Sequence, residues 1–416
     1  MQFVADLHIH SKYSRATSRS LDLENLDKWA RIKGIKVLAT GDFTHPEWFK
    51  VLKDKLRPSA PGLYCLKTQP GDSGTFFILS VEISCIYSKG GKVRKIHIVV
   101  LAPSLEICEK INARLGFIGN LKADGRPILG LDAKELVKIV LGVSPECLVI
   151  PAHAWTPWFS IFGSRSGFDT IEECFEEYSK YIYAIETGLS SDPAMNWRLS
   201  ALDKITLISC SDAHSPAKIG REATVFNSEI SYSAIIEAIK TKDLNRLLYT
   251  IEFFPEEGKY HYDGHRLCDV SFHPGETKKY NNICPKCKKL LTIGVLSRVN
   301  ELADRKEGFK PENTVPFKSL IPLEEVIASS FGVTVASKRV QNEYENLIKK
   351  IGSEFKILLS ASVEDLNSVT FPEVSEGILK VRDGKVDIIP GYDGVFGRIN
   401  IPRSAGEALL DQKSLF

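Results

Sequence analysis

Asp6-Leu7-His8-Ile9-His10, close to the start of the chain, is the stretch whose reading decides the fold. In an extended strand, side chains alternate between two faces. Asp6, His8 and His10 therefore share one face, and Phe3, Ala5, Leu7 and Ile9 share the other. The second face is apolar and suits a core. The first carries two imidazoles two residues apart, a spacing that lets both grip one metal ion. Imidazole nitrogen suits Zn, Mn and Fe, and carboxylates from elsewhere complete such clusters. A surface strand with two histidines reads the same way, so the rest of the chain has to decide.

Six later segments read as short buried strands that end in, or lie close to, a metal-type side chain. Val37 to Asp42 ends in a carboxylate with His45 just beyond, and Phe76 to Glu82 ends in another. Ile96 to Leu101 carries His97 near its start, and Leu148 to His153 ends in a histidine. Ile182 to Glu186 carries a carboxylate better suited to supporting a ligand than to being one. Ile205 to His214 ends in Asp212-Ala213-His214. Glu82 and Asp212 close apolar runs, where an unpaired charge is costly and a cation partner is expected. Helix-like stretches from Leu23 to Lys33, Asp132 to Leu141 and Thr170 to Lys180 lie between the strands. Strand and helix in alternation argue for an α/β fold with a parallel sheet covered by helices. Seven strands with their polar residues at the C-terminal ends suggest a closed or nearly closed barrel, whose active site sits at that rim. His8, His10, Asp42, Glu82, His153, Asp212 and His214 are thus expected around one cavity, and His97 fits less simply.

Together these motifs, in this order, resemble the PHP (polymerase and histidinol phosphatase) superfamily over roughly residues 1–228. The resemblance implies a distorted (β/α)7 barrel that hydrolyses phosphoesters with two or three divalent metals (Zn, Mg or Mn). It implies that His8, His10, Glu82 and Asp212 hold one metal, and that Glu82, His97 and His153 hold a second, with Glu82 bridging. A third site would use His214. The chain departs from the family there: Thr40-Gly41-Asp42-Phe43 stands where many members have Thr-Asp-His, and Arg15 and Ala16 stand where a further histidine is usual. Asp42 is then the candidate oxygen ligand and His45 the reserve, and an oxygen-rich site favours Mg or Mn over Zn. Paired metals clamp the attacking and leaving oxygens of an in-line displacement. Such a centre needs no Ser-His-Asp triad and no glycine-rich nucleotide loop. Gly391-Tyr-Asp-Gly394-Val-Phe-Gly397 lacks the Lys-Ser/Thr of one.

His265-x2-Cys268, then fifteen residues, then Cys284-Pro285-Lys286-Cys287 reads as a zinc ribbon or knuckle. His261 and His273 compete with His265 for the fourth ligand place. The other six of the nine cysteines are scattered and suit buried apolar positions. The net charge of +2 conceals a bias: Lys259 to Lys310 holds eleven Lys and Arg against six Asp and Glu. Lysines on the knuckle, Lys286 and Lys288 among them, suggest a surface laid against phosphate, or simply a solvated face. At 416 residues and 43% hydrophobic content, more than one domain is expected. The expected order is the barrel at 1–228, a connecting segment at 229–258, the zinc module at 259–295, and a helical module with short C-terminal strands at 296–416. In the last, Ile293 to Arg305, Leu323 to Ser330 and Ala336 to Ile351 read as helices. Ile378 to Val381 and Val386 to Ile389 read as strands around Asp383-Gly384. No leader peptide or membrane span is read, and the expected location is cytoplasmic.

After His153, Trp155, Trp158, Phe159 and Phe162 crowd the expected rim. Exposed aromatics beside a phosphoester cavity can stack on a nucleobase turned out of the duplex, although aromatics under a long loop also pack together. Arg15 is a candidate DNA contact, and Asp192, in the loop after the sixth strand, is a candidate for proton transfer. Taken whole, the order of barrel, Cys-Pro-x-Cys module, helices and Gly-Tyr-Asp-Gly tail resembles the archaeal and partly bacterial endonuclease Q family of DNA repair enzymes. That resemblance implies damaged double- or single-stranded DNA as partner, cut 5′ to a deaminated base (hypoxanthine, uracil, xanthine) or an abasic site. A sliding clamp is a conceivable further partner for a repair nuclease, but no motif names it. The rival reading is a small-molecule phosphatase with a structural zinc appendage.

Overall fold

The apolar face of the opening stretch buries as expected in β1 (Gln2–Asp6), where Phe3 and Ala5 enter the core. Asp22 then caps α1 (Leu23–Lys33), accepting from the Asn25 amide at 2.9 Å, and Gly34 stops it at φ 89°. The rest of the ordered framework follows in the chain as β2 (Ile35–Ala39), α2 (Pro46–Lys55), β3 (Phe76–Lys89), β4 (Lys92–Ala102), α3 (Leu105–Gly116), α4 (Ala133–Val143), β5 (Leu148–Pro151), α5 (Ile171–Phe175), β6 (Ala184–Glu186), α6 (Pro193–Asn196) and β7 (Thr206–Ile208). The computed structural model describes residues 1–69 and 74–402.

Hydrogen bonds link these strands in a mixed α/β arrangement. β1 pairs with β2 and β2 with β3, all parallel, and β6 pairs in parallel with β7. Two joints are made at or just past strand ends. Ala154 N donates to Glu186 O at 2.9 Å, joining β5 to β6. Asp212 N donates to His8 O at 2.9 Å, and His10 N to Ala213 O at 3.3 Å, joining β7 to β1. The chain of bonds thus returns to its start.

The all-parallel expectation fails at β4, which runs antiparallel to both β3 and β5. Gly90 and Gly91, both with positive φ (61° and 72°), make a two-residue turn between Lys89 and Lys92, and a tight hairpin forces the return strand to reverse. β3 accordingly continues past Glu82, which lies mid-strand rather than at its end. The reversal also explains His97. The first half of an antiparallel β4 lies beside the last half of β3, so His97 reaches the same rim as Glu82, opposite Ser84.

Residues 229–258, expected as a connector, are structured. β8 (Ala223–Asn227) adds to the outer edge of β1, α7 (Tyr232–Thr241) follows, and β9 (Leu247–Glu252) pairs with β8. The stretch expected as one helix from Thr170 to Lys180 breaks at Glu176, whose φ is 49° and whose carboxylate is held by Lys89 and Lys134.

The chain divides into two compact units, Met1–Leu320 with Pro390–Gly397, and Ile321–Ile389 with the segment from Arg398 onward. α8 (Val295–Leu302), expected in the helical module, belongs to the first. Residues 403–416 of that expected module lie outside the described residues. The second unit holds α9 (Leu323–Phe331), α10 (Lys338–Ile351), α11 (Glu354–Leu359), α12 (Val363–Val369) and α13 (Pro372–Arg382), with a ribbon pairing Asp387–Ile389 to Arg398–Asn400. Ile378 to Val381 is therefore helix, not strand. Pro372 starts α13, and Val374, Ile378 and Val381 bury at helical spacing, which outweighs a local alternation of four residues. Among the described residues no helix is long and apolar enough to cross a membrane.

Candidate metal centre and its cavity

Past β1 the backbone stays extended long enough to deliver His8 and His10 to one end of the strand ring. Each histidine is held by a carboxylate at Nδ1. For His8 the partner is Glu186 Oε2 at 2.9 Å, and for His10 it is Asp42 Oδ1 at 3.2 Å. A histidine fixed this way presents Nε2 as its free nitrogen. His10 Nε2 lies 2.9 Å from Asp212 Oδ1 and 3.4 Å from Glu82 Oε2. His8 Nε2 lies 3.7 and 3.8 Å from the same two carboxylates, and it is buried without a hydrogen-bond partner among the described residues. On the other side of Glu82, Oε1 meets His97 Nδ1 at 2.7 Å and His153 Nε2 at 3.0 Å.

Two groups with ligand atoms all within 4.8 Å of one another result: His8, His10, Glu82 and Asp212, and Glu82, His97 and His153. Glu82 belongs to both. Burial opposes ionisation of Glu82, but His97 and His8 beside it hold its carboxyl well below the usual range. Burial likewise drives His97 down to about 4. Burial would also lower His8 and His10, yet Glu186 and Glu82 on one, and Asp212 and Asp42 on the other, raise both well above the ordinary value. Buried carboxylates converging on imidazoles, one of them with an orphaned Nε2, call for positive charge at their centre. That donor set fits divalent cations.

Local backbone strain delivers these groups. Asp42, His153 and Asp212 have φ of 52°, 29° and 45°, left-handed values that non-glycine residues adopt at a cost of roughly 1–3 kcal/mol each. Two glycines permit the close approaches. A Cβ on Gly41 would meet Ile9 O at 2.5 Å, and one on Gly188 would meet the His153 Cβ at 2.5 Å.

Several expected site residues sit elsewhere. Asp42 is not directed at the cluster: besides His10, it accepts from Ser11 N at 2.7 Å, Ser11 Oγ at 2.6 Å and Ser14 Oγ at 2.9 Å, which occupy its second oxygen. It orients His10 rather than offering a ligand oxygen. His214 turns Nδ1 to Asp212 O at 2.8 Å and joins no group of three ligands among the described residues. His45 stacks on Tyr13 with ring centroids 4.5 Å apart. Asp192 caps α6, with Oδ1 accepting from Met195 N at 2.8 Å, and the neighbouring Gly188, Leu189 and Ser190 line the cavity.

A cavity of about 450 Å³ opens over the Glu82–His97–His153 side. Trp158, 45% exposed, and Phe159 line it. Trp155, 1% exposed, does not: its indole donates to Asn196 Oδ1 at 2.8 Å and its ring packs on Phe162, so half of the aromatic run is core. Arg15 also lines the cavity. Two further lining residues carry no sequence signal, since they sit in an irregular loop. These are Arg126, whose Nη1 lies 3.1 Å from Glu82 Oε2, and the buried Asp124.

The ligand atoms of a third group, His265, Cys268, Cys284 and Cys287, also lie within 4.8 Å of one another. The competitors for its fourth place do not join the group. His261 is buried against Tyr262, and burial drives it down to about 4. His273 accepts from Gly275 N at 3.3 Å and pairs with Glu307 at 3.3 Å. Lys286 and Lys288 are exposed beside the cysteines. The Gly391–Gly394 turn buttresses this module. Asp393 accepts from Arg266 N at 2.7 Å and from Thr292 Oγ1 at 2.6 Å, a structural use for a motif whose role sequence alone left open.

Residues 322–385 match the family model described as the MJ0043 C-terminal domain. The protein MJ0043 of Methanocaldococcus jannaschii is 36% identical over 256 residues, which cover 60% of this chain but only 31% of that protein. The chain thus spans under a third of that relative's length. Among solved structures, the lesion-specific endonuclease PfuEndoQ of Pyrococcus furiosus matches with a TM-score of 0.86 at 30% identity, covering 97% of this chain and 96% of that one. Endonuclease Q in complex with a 27-mer duplex carrying an abasic lesion at its active site matches with a TM-score of 0.83, also at 30% identity, covering 97% of each chain. With that identity carried over nearly the whole length of both chains, the protein belongs to the endonuclease Q family.

Proposed function

We propose that the chain is a metal-dependent DNA endonuclease of base-damage repair, cutting the phosphodiester 5′ to a deaminated base or an abasic site. The observation that carries the chemistry is Glu82, which turns one oxygen to His97 and His153 and the other toward His8 and His10. In this reading the strand ring is a PHP-type (β/α)7 barrel. His8, His10, Glu82 and Asp212 hold one divalent cation, Glu82, His97 and His153 hold a second, and His265, Cys268, Cys284 and Cys287 hold a structural zinc. When bound, the paired cations supply Lewis acidity, lowering the pKa of water and neutralising a phosphate. The protein's share is positional. Glu82 fixes the separation of the two groups, Glu186 and Asp42 fix the histidine rings, and the Asp192 cap fixes the loop that walls the cavity.

The cavity volume lies in the range of small-ligand sites, about 300–1,000 Å³, so it admits one extruded nucleotide rather than a duplex. Trp158 and Phe159 stack on the extruded residue, and Arg15 and the lysines of the knuckle meet the backbone. Asp42→Asn keeps the shape behind His10 but weakens its hold on the ring. Metal affinity is expected to fall by about 10–100-fold, measured by calorimetric titration of the chelator-stripped protein.

A small-molecule phosphatase would share the metal chemistry but leave the knuckle lysines and the duplex-bound relative without explanation. Affinity for an abasic duplex, read by fluorescence anisotropy between 50 and 200 mM salt, separates the two. We expect a loss of about 10³-fold or more across that range if six or more phosphates are contacted. Weak, salt-insensitive binding together with rapid hydrolysis of a phosphomonoester would reject the nuclease reading.

A further inference from the structure

We infer that Arg126 and Arg15, tied together by Asp124, form a phosphate-binding clamp at the mouth of the cavity, and that its ligand is a phosphodiester oxyanion of the DNA backbone. The inference rests on the nuclease reading and adds the subsite that grips the strand. Asp124 is buried and serves both arms. Its Oδ1 accepts from Arg15 N at 3.2 Å and Arg126 N at 3.1 Å, while Oδ2 pairs with Arg15 Nε at 3.1 Å. One carboxylate thereby sets the backbone of two cationic residues that are distant in sequence.

Gly125 completes the tie, donating from N to Tyr13 O at 2.9 Å, so the loop is fastened to the segment that follows His10. Arg126 donates from Nη1 to Glu82, and Arg15 from Nε to Asp124. Among the described residues neither guanidinium shows another side-chain bond, and both residues line the cavity. The Arg15 side chain is 73% exposed and that of Arg126 24%, which grades the clamp from its solvent arm to its inner arm. A guanidinium presents its remaining N–H groups as a planar fork matched to two phosphate oxygens. Arg126 is thus placed to touch the metal-bridging carboxylate and a phosphate together, fixing where the backbone lies relative to Glu82. Asp124 is a positioning residue that acts through both arginines.

The test is duplex binding by the full-length, metal-replete protein on duplexes made uncleavable by a phosphorothioate at the scissile linkage, followed by anisotropy as a function of salt. Arg126→Ala should weaken binding about five- to tenfold on lesion-bearing and undamaged duplexes alike, and lower the salt slope by about 1. Arg15→Ala/Arg126→Ala should lower it by about 2. Arg126→Lys should restore the slope but not the full affinity, because the charge returns without the fork. Asp124→Asn should weaken binding while leaving the slope within about 0.5 of wild type, since both cations persist but lose their fixed positions. Lys110→Ala, on the exposed face of α3 and paired with Glu106, should change neither. If Arg126→Ala binds with wild-type affinity and slope while metal uptake changes, Arg126 is only a counter-ion for Glu82 and the clamp is wrong. A wild-type chain with no duplex affinity would instead overturn the clamp together with the nuclease reading.

Discussion

Glu82→Gln is expected to lower the rate of strand incision by on the order of 10³-fold or more. That exceeds the roughly 10–100-fold expected when a group behind a ligand is lost. The reason is geometric. Glu82 is the one side chain common to both ligand groups, and its two oxygens face different histidine pairs. The amide keeps the shape of the carboxylate but removes the charge, and it turns a donor NH2 toward one of the pairs. A Glu186→Gln change should cost less, because Glu186 supports the cluster from behind, at His8 Nδ1 and the His153 backbone amide, and belongs to neither ligand group. The check is single-turnover incision with metal content measured on the same samples. The distinguishing feature is loss of metal from both groups in Glu82→Gln, with the fold intact by circular dichroism. Loss of metal from one group only would show that Glu82 does not bridge.

Cys284→Ser is expected to have the largest structural effect. The module around it has little apolar core of its own. Val270, Cys284 and Leu291 form its buried apolar cluster, and Cys268, Phe272 and Cys287 pack on them only partly buried. So small a cluster does not stabilise a fold unaided, whereas a structural zinc contributes about 10–16 kcal/mol in small zinc modules. We expect one zinc per chain to be lost and residues 263–292 to become open to proteolysis. Duplex affinity should fall with them, while hydrolysis of a phosphomonoester persists. Elemental analysis and limited proteolysis read these outcomes directly. A fully resistant Cys284→Ser protein would show that Asp393 and its neighbours hold the module without metal.

Much of this architecture was legible because the decisive residues are also the chemically unusual ones. A buried strand seldom ends in His-x-His, and five or six strands that end in or near a metal-type side chain, taken in order, point to one rim. α1 runs over the bounds expected for it, Leu23 to Lys33, and Asp22 and Gly34 close it at both ends. What escaped was of two kinds. The reversal of β4 is written in Lys89-Gly90-Gly91-Lys92, but the apolar strands on either side read the same whether they pair parallel or antiparallel. The division of labour among polar residues was not written locally at all. Asp42 has the chemistry of a ligand, and only Ser11 and Ser14 around it reveal that its second oxygen is already occupied. Trp155 and Trp158 are indistinguishable in sequence, yet Asn196, some forty residues on, draws one into the core. Arg126 lay in a loop without periodicity, and its partner Glu82 is forty-four residues away.

The most direct measurement is an incision assay on end-labelled duplexes carrying a single uracil, hypoxanthine or abasic site, beside an undamaged control, with Mg or Mn supplied. A nick immediately 5′ to the lesion, absent from the control duplex and from the Glu82→Gln protein, is the expected result. Intact duplexes throughout, with a phosphomonoester still hydrolysed by the same preparation, would contradict it.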